Sequence, residues 1–313
     1  MEDYPRTIEE FERRFSTEEA CRACMEALRW PGGFRCPGCQ GEVAVEVRDG
    51  LYQCRGGRRQ TSATAGTIFQ DTGKPLVMWF RALWYLTSQK NGASALGLQR
   101  VLGLGSYETA WTWLHKLRRA MVRPDRDRLR GWIEVDETFI GGLAEGVVGG
   151  RQKSNKALVV LAAQADGPGI GRIRMRMIPD ASAGSLHPFI RDCVEPGSTL
   201  HTDGWSGYGG LEKEGYEREV TVIGGQKKGA SKLLPRVHRI ASLLKRWLLG
   251  THQGAVAPWQ LPYYLDEFTF RFNRRTSKSR GKLFFRLMQQ AVTIPPATYE
   301  AMVDQAKPAS HNL

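Results

Sequence analysis

The sequence predicts a mixed α/β core that follows a small cysteine-containing module and a helical region. Three observations support this order. Five of the six cysteines precede residue 55, strand-like alternation begins after residue 131, and two long helical patterns follow residue 234. A chain of 313 residues is long enough for two or three domains.

The composition is strongly basic. A formal net charge of +13 and a pI near 9.7 favour a polyanionic partner, and nucleic acid above all. The alternative is a charge that only keeps the protein in solution. No apolar run is long enough to cross a membrane. The clustered cysteines favour an intracellular metal or thiol site over disulfides, so we expect a cytoplasmic protein.

Residues 1–30 have the pattern of one or two amphipathic helices. Phe11 and Phe15 belong to the apolar side, and Thr17 is placed to cap a second helix. Cys21 and Cys24 fall in that helix. We expect both to be small buried side chains, although their C-x-x-C spacing also allows them to donate a metal ligand.

Residues 31–73 have the pattern of a zinc ribbon. Cys36 and Cys39 enclose Pro and Gly, the tight turn that lets two thiolates converge on one tetrahedral ion, and Cys54 follows after a short strand. Position 57, where a fourth cysteine is expected, is Gly57. Because a structural zinc site is almost always closed by four ligands, a three-thiolate zinc site and a metal-free ribbon both stay open.

Residues 74–121 form a helical region that is predicted to bind DNA. Two of its helical patterns, 94–102 and 106–121, are separated by Gly-Leu-Gly and resemble a helix-turn-helix. Groove and phosphate contacts are predicted for Tyr107, Thr109, Trp113, Lys116, Arg118 and Arg119. The alternative is a plain helical hairpin with a basic exposed face. Residues 122–130 are a charged linker that marks the predicted domain boundary.

Residues 131–300 have the pattern of one α/β domain, with 301–313 as a tail. Residues 157–165 are a nearly continuous apolar run, as in a central strand buried on both faces. Residues 172–178 alternate basic and apolar, as in a strand with one solvated face. The other predicted elements are strands at 132–142, 199–203 and 220–223 and helices at 185–194, 235–250 and 258–273. This is the order expected of an RNase H-like core, a mixed sheet with flanking helices.

Two aspartates stand at strand positions, where an unpaired buried charge would be costly. In the segment WIEVDETFIGG, Asp136 shares the polar face of its strand with Glu134, and Asp203 ends a second short strand. Two-metal phosphoryl transfer needs carboxylates that hold two cations about 3.5 to 4 Å apart. We therefore predict that Asp136 and Asp203 bind Mg²⁺ or Mn²⁺. Glu134 is an alternative ligand, and a salt bridge at Asp136 or a turn at Asp203 is the structural alternative.

The third ligand of such a site cannot be a carboxylate in the usual place. No Asp or Glu occurs between Glu219 and Asp266, and the helix in this interval carries His238 and, two turns later, Lys245. An imidazole can ligate a metal and an ammonium group can bind a phosphate. The alternative is a surface histidine among arginines.

These motifs together resemble the ISXO-type insertion-sequence transposases of bacteria, which join an N-terminal zinc ribbon to a DDE-type catalytic domain. In order from residue 29 to residue 275, the motifs are RWPGGFRCPGCQ, YQCRGGRRQTS, AGTIFQDTGKPL, SYETAWTWLHKLRRAM, VDETFIGG, LHTDGWSGY, HRIASLLKRWLLGTHQG and DEFTFRFNRR. In this family the third carboxylate is often replaced by Asn or His, followed by Lys. The resemblance implies Asp136 and Asp203 as metal ligands, His238 in the third position and Lys245 as the associated lysine.

The resemblance also implies an activity: metal-dependent nicking of double-stranded DNA at element ends, then transfer of the 3′-hydroxyl into target DNA by a homodimer or higher oligomer. A basic stripe beside the predicted site is expected to follow the DNA backbone; it consists of Lys227, Lys228, Lys232, Arg236 and Arg239. Two alternatives stay open. One is a DNA-binding regulator or degenerate transposase copy with an inactive core, and the other is a nuclease of the same fold without strand transfer.

Overall fold

The structure is a computed structural model that describes residues 3–123, 125–141, 156–221, 233–254, 256–299 and 302. The chain divides into two compact units, one formed by Met1–Arg123 with Ser277–Leu313 and the other by Pro124–Thr276. The second unit therefore ends earlier than the domain predicted for residues 131–300. Apart from Met302, the predicted tail lies outside the described residues. Within the described ranges, no helix is long and apolar enough to span a membrane.

The first unit combines a small antiparallel sheet with a cluster of helices. Its strands have the order β1-β2-β3, with bounds β1 Ala44–Arg48, β2 Leu51–Cys54 and β3 Gln60–Ser62. Its helices are α1 Ile8–Arg14, α2 Glu18–Arg29, α3 Leu76–Ser88, α4 Ala95–Leu102, α5 Tyr107–Arg119 and α9 Arg280–Ala291. Thr17 caps α2 as predicted, because its hydroxyl oxygen accepts a hydrogen bond from the backbone N–H of Ala20.

Aromatic packing explains why the residues after 276 belong to the first unit. Phe284 of α9 lies 5.3 Å from Phe11 of α1, measured between ring centroids, and 5.9 and 5.8 Å from Phe80 and Trp84 of α3. All four rings are buried, and burial of one such side chain contributes about 1.5–3 kcal/mol. Sequence periodicity does not show which partner a C-terminal helix packs against, and the predicted boundary missed this contact.

Helices α4 and α5 form the pair predicted to resemble a helix-turn-helix. Ser94 and Ser106 cap their N-termini, and α4 ends at Gly103 in the left-handed conformation usual at this position. Trp113 of α5 does not have the exposure needed for a groove contact. It is buried and stacks on Trp79 of α3 at a centroid distance of 3.8 Å, so it stabilises the helical cluster instead.

The second unit is a five-stranded mixed sheet with helices on both faces. The strand order is β6-β5-β4-β7-β8; β6, β5 and β4 run antiparallel, whereas β4, β7 and β8 run parallel. The strands are β4 Trp132–Ile140, β5 Ala157–Asp166, β6 Gly169–Ile178, β7 Thr199–Asp203 and β8 Glu217–Thr221. The helices are α6 Ala183–Cys193, α7 Pro235–His252 and α8 Leu261–Asn273.

Strand β5 is buried on both faces, as its apolar run predicts. Val159 and Leu161 belong to the core on the side of α7 and α8, and Val160 and Ala162 to the core on the side of α6. The neighbouring strand β6 is less solvated than predicted. Arg174 is only 3% exposed, burial lowers its pKa to about 10, and its guanidinium donates to backbone carbonyls.

Candidate functional site

Asp136 and Asp203 lie on the neighbouring parallel strands β4 and β7. Strand β4 pairs with β7 at Trp132 opposite Thr199 and at Glu134 opposite His201. Asp136 and Asp203 each stand two residues beyond that last pair, and both line the same cavity. Carboxylates on neighbouring strands that border one cavity suit a site for divalent cations.

A cavity of about 680 Å³ opens beside these two carboxylates. Most of its wall is apolar, and Glu137, Lys156 and Trp205 line it together with Asp136 and Asp203. The backbone fixes one oxygen of each aspartate, since the Oδ1 of Asp136 accepts from the N–H of Glu137 at 2.8 Å and the Oδ1 of Asp203 from that of Trp205 at 3.0 Å. The site is therefore an open space with oriented carboxylates at one side.

Several carboxylates lie around this cavity and act on the fully buried Tyr208. Burial raises the pKa of Tyr208 well above its ordinary value, and the negative charges of Glu137, Asp136 and Asp203 raise it further. A field of this sign favours cations and repels phosphate. A divalent cation bound here would neutralise it and let a phosphodiester approach.

His238 faces Asp136 without a hydrogen bond. Its Nε2 lies 3.6 Å from the Oδ2 of Asp136 and, although buried, has no hydrogen-bond partner. A buried polar atom without a partner is costly, and a divalent cation is one partner that would satisfy this nitrogen. Two carboxylates and an imidazole nitrogen form a donor set that fits a divalent cation. His238, the weakest of the predicted site residues on sequence grounds, thus lies at the site.

A buried ion pair holds the helix that carries His238. Glu134 is fully buried; its Oε2 accepts from the backbone N–H groups of Arg236 and Val237 at 2.7 and 3.0 Å, and its Oε1 accepts from the guanidinium of Arg236 at 2.9 Å. The carboxylate thereby satisfies N–H groups in the first turn of α7. These contacts of Glu134 with Arg236 and Val237, called the Glu134 clamp below, fix the start of α7 against β4. They end one residue before His238.

The clamp corrects two predictions. Glu134 is not an alternative metal ligand, because both of its oxygens accept hydrogen bonds from the start of α7. Arg236 is not part of a DNA-binding stripe, because its remaining guanidinium nitrogens donate to the carbonyls of Gly167 and Gly169 at 3.0 and 2.9 Å. The two partners are separated by 102 residues, and no local sequence pattern links them.

Two lysines supply positive charge near the carboxylates. Lys156 lines the cavity. Lys245 lies two turns after His238 on α7, and partial desolvation together with the charge of Lys156 lowers its pKa. The charge of Lys245 in turn contributes to lowering the pKa of His238. The predicted pair of His238 and Lys245 therefore lies in one electrostatic environment. Lys156 belongs to the same environment, and no sequence pattern indicated this.

The protonation of His238 gives a testable dependence on pH. Burial lowers its pKa below the ordinary 6.5, Glu134 opposes this shift and Lys245 adds to it. The fold therefore favours the neutral imidazole, whose stabilising contribution is present above pH 6.5 and is lost as the pH falls through the lowered pKa. We expect the urea midpoint of the metal-free protein to fall more between pH 7 and pH 5 than that of His238→Asn. A wild type that instead gains stability relative to the variant would show a protonated His238 paired with Asp136.

Cys36, Cys39 and Cys54 converge in the ribbon. Their sulfur atoms all lie within 4.8 Å of one another, and the Sγ atoms of Cys39 and Cys54 are 3.4 Å apart. Backbone N–H groups of Cys39 and Gly38 lower the pKa of Cys36 to about 7, which favours the thiolate that binds metals. Among the described residues this is the one cluster of potential ligand atoms so closely spaced.

Cys21 and Cys24 take no part in that cluster. Both lie in α2, where burial raises the pKa of Cys21 to about 12 and that of Cys24 to about 11. Their thiols are therefore protonated at neutral pH, unlike metal ligands. Cys21 is buried as expected, whereas Cys24 is only half-buried.

The predicted DNA contacts have different surroundings. Arg118 is 1% exposed and donates to the carbonyl of Ala93, so it supports the helical cluster and its prediction as a DNA contact is wrong. Lys116 is half-buried, with a pKa lowered by desolvation, whereas Arg119 and Arg239 are exposed. The rest of the stripe, Lys227, Lys228 and Lys232, lies outside the described residues.

Two protein-family models match the chain. Residues 16–60 match the model of a transposase zinc-ribbon domain, and residues 128–273 match that of an ISXO2-like transposase domain. No curated protein matches the chain. The second match covers the mixed sheet together with α6, α7 and α8, and so confirms the predicted RNase H-like core. The chain therefore combines a domain of the transposase zinc-ribbon family with a domain of the ISXO2-like transposase family, the two domains of an IS1595-type transposase.

Proposed function

We propose that the protein nicks DNA at the ends of an insertion sequence and joins the freed 3′-hydroxyl to target DNA. The observations that support this proposal are that Asp136 and Asp203 line one cavity and that the Nε2 of His238 lies 3.6 Å from the Oδ2 of Asp136. Carboxylates in this arrangement serve phosphoryl transfer through divalent cations. The net charge of +13 supports DNA as the substrate.

Asp136, Asp203 and His238 would hold Mg²⁺ or Mn²⁺. Such ions supply Lewis acidity, which lowers the pKa of a bound water and stabilises charge on phosphate oxygens. The chain's own contribution is to fix the ligands. Backbone N–H groups orient the carboxylates, the Glu134 clamp holds α7, and the lowered pKa of His238 keeps its electron pair available.

The reaction consists of two displacements at phosphorus. In the first, the oxygen of water bonds to a phosphorus at the element end, and the 3′-oxygen leaves with a proton. In the second, that 3′-hydroxyl attacks a target phosphodiester and a second 3′-oxygen leaves, so the number of phosphodiester bonds does not change. No covalent intermediate with the protein is needed, and Lys156 and Lys245 are the cations near the carboxylates that can contact phosphate.

Several further assignments belong to this proposal. Zn²⁺ binds to Cys36, Cys39 and Cys54, and exposed basic residues such as Arg119 and Arg239 contact duplex phosphates. The active form is a homodimer or higher oligomer, because two element ends must be held together for joining. Its substrate places it in the cytoplasm with bacterial DNA.

Product analysis tests the proposed reaction. Purified protein, Mg²⁺ or Mn²⁺, a labelled duplex from the element end and a supercoiled target plasmid should give a nick with a 3′-hydroxyl, followed by a labelled joint molecule. Nicks without joint molecules would identify a nuclease of the same fold. A retarded duplex without any metal-dependent cleavage would identify a DNA-binding protein with an inactive core.

A further inference from the structure

The first cysteine turn of the ribbon has the backbone of a metal-binding knuckle. The N–H of Gln40 donates to the carbonyl of Cys36 at 2.9 Å, and the N–H of Cys36 donates to the carbonyl of Gly41, also at 2.9 Å. Gln40, directly after Cys39, adopts a left-handed conformation with φ 61°. This closed turn aims the sulfur atoms of Cys36 and Cys39 toward one point.

The second turn repeats the same backbone without its second cysteine. The N–H of Arg58 donates to the carbonyl of Cys54 at 2.9 Å, and the N–H of Cys54 donates to the carbonyl of Arg59 at 2.9 Å. Arg58 is left-handed with φ 52°. Position for position, Cys54 corresponds to Cys36 and Gly57 corresponds to Cys39. The backbone of the second turn therefore matches that of the first, but the second turn supplies one sulfur ligand instead of two.

Gly57 lies directly against the thiol cluster. A Cβ atom built on Gly57 would lie 3.3 Å from the Sγ of Cys39 and 3.7 Å from its Cβ, and the N–H of Gly57 donates to the Sγ of Cys54 at 3.5 Å. Gly57 does not have a positive φ, so its backbone conformation does not itself require glycine. A side chain at this position would therefore touch the cluster directly and would need the Sγ of Cys39 to move by a few tenths of an ångström, whereas glycine leaves the cluster without a fourth sulfur on this side.

We infer that the ribbon holds its metal through three thiolates and keeps the fourth coordination position, on the side of Gly57, open to a small exogenous donor. This inference rests on the proposed zinc binding. Zn²⁺ is tetrahedral, and a site with three protein ligands completes its shell with water or another small ligand. Among the described residues, no further His, Cys, Asp or Glu joins the three cysteines. Cys39 is exposed, so small donors such as water, imidazole or a free thiolate can reach this corner from solvent.

Cobalt substitution of the full-length protein tests the open position. Co²⁺ replaces Zn²⁺ in tetrahedral thiolate sites, and its visible spectrum depends on all four ligands. Added imidazole should shift the spectrum of the wild-type protein by replacing water. Gly57→Cys should show stronger sulfur-to-cobalt charge transfer, a spectrum that imidazole does not change, and roughly tenfold or more tighter metal binding in competition with a chelator, since even outer ligands alter affinity tenfold.

Gly57→Ala is the matched control, because it adds the same Cβ without a sulfur atom. It should keep the imidazole response of the wild type, and Cys54→Ser should lose charge-transfer intensity if the absorbing site is the ribbon. If the wild-type protein binds Co²⁺ through thiolates but its visible spectrum does not change with imidazole, the open coordination position is wrong and zinc binding still stands. Wild-type protein without a thiolate–cobalt signal would overturn zinc binding itself, and the inference with it.

Discussion

Replacement of Asp203 by Asn is expected to reduce strand transfer at least roughly a thousandfold, because a lost metal ligand removes several kcal/mol of transition-state stabilisation. The fold should survive. Asn has the same size, and its amide oxygen can still accept the hydrogen bond that the N–H of Trp205 donates to Asp203. The measurement is the rate of joint-molecule formation in Mg²⁺, with the thermal unfolding midpoint and duplex affinity measured on the same preparation.

Asp180→Asn is the matched control for this change. Asp180 lines the same cavity but accepts hydrogen bonds from the N–H of Ser182 and the hydroxyl of Ser185, so its carboxylate is directed to the start of α6. The two variants remove the same charge from one cavity. Asp180→Asn should stay within about tenfold of the wild-type rate. Equal losses in both variants would mean that the field of the cavity matters and the pairing of Asp136 with Asp203 does not.

Glu134→Gln is expected to destabilise the protein by about 3 kcal/mol, since the loss of one partner from a buried ion pair costs about 3–5 kcal/mol and Arg236 is still 18% exposed. The side chain of Gln also has an amide N–H₂ group in place of one carboxylate oxygen. That donor group would face the N–H groups of α7 that now donate to the carboxylate. The start of α7 should loosen and His238 should lose its fixed position. We expect a lower urea midpoint and, under conditions where the variant stays folded, weaker Mn²⁺ binding and slower strand transfer.

Glu267→Gln separates positioning from stability. Glu267 is also fully buried, and it pairs with Arg271 at 2.8 Å, whose side chain is 16% exposed. The two ion pairs thus match in burial, length and partner type, yet Glu267 lies on α8, away from the carboxylate pair. Both variants should lose comparable stability, and Glu134→Gln should lose Mn²⁺ affinity as well. Equal effects on Mn²⁺ binding would show that the Glu134 clamp does nothing specific for the site.

Local patterns were sufficient to predict most of the second unit and its carboxylates. The alternation of WIEVDETFIGG and the continuous apolar run of β5 each predict a strand, and the structure has both strands. The prediction that β4 buries only one face is wrong, because Ile133, Glu134 and Val135 are all buried in this central strand. Asp136 and Asp203 stand out because each is a charge in an apolar strand context. That both would line one cavity was not predictable, because the pairing of β4 with β7 is a contact between segments 67 residues apart.

The high count of basic residues did not indicate which of them are exposed and able to contact DNA. Arg118 and Arg119 are neighbours in sequence, yet helix geometry buries one and exposes the other. Arg236 looked like one member of a basic stripe, and only the tertiary fold shows that it closes on Glu134. A strong positive charge predicts a polyanionic partner. A basic side chain can contact that partner only if it is not already buried or hydrogen-bonded within the fold.

We propose that Asp136, Asp203 and His238 form one metal site, and anomalous diffraction from crystals of the full chain soaked in Mn²⁺ tests this proposal most directly. We expect Mn²⁺ within about 2.0–2.6 Å of carboxylate oxygens of both aspartates, with the Nε2 of His238 in the coordination shell of one ion. Mn²⁺ bound to only one of the two aspartates, or bound with His238 turned away from it, would contradict the account.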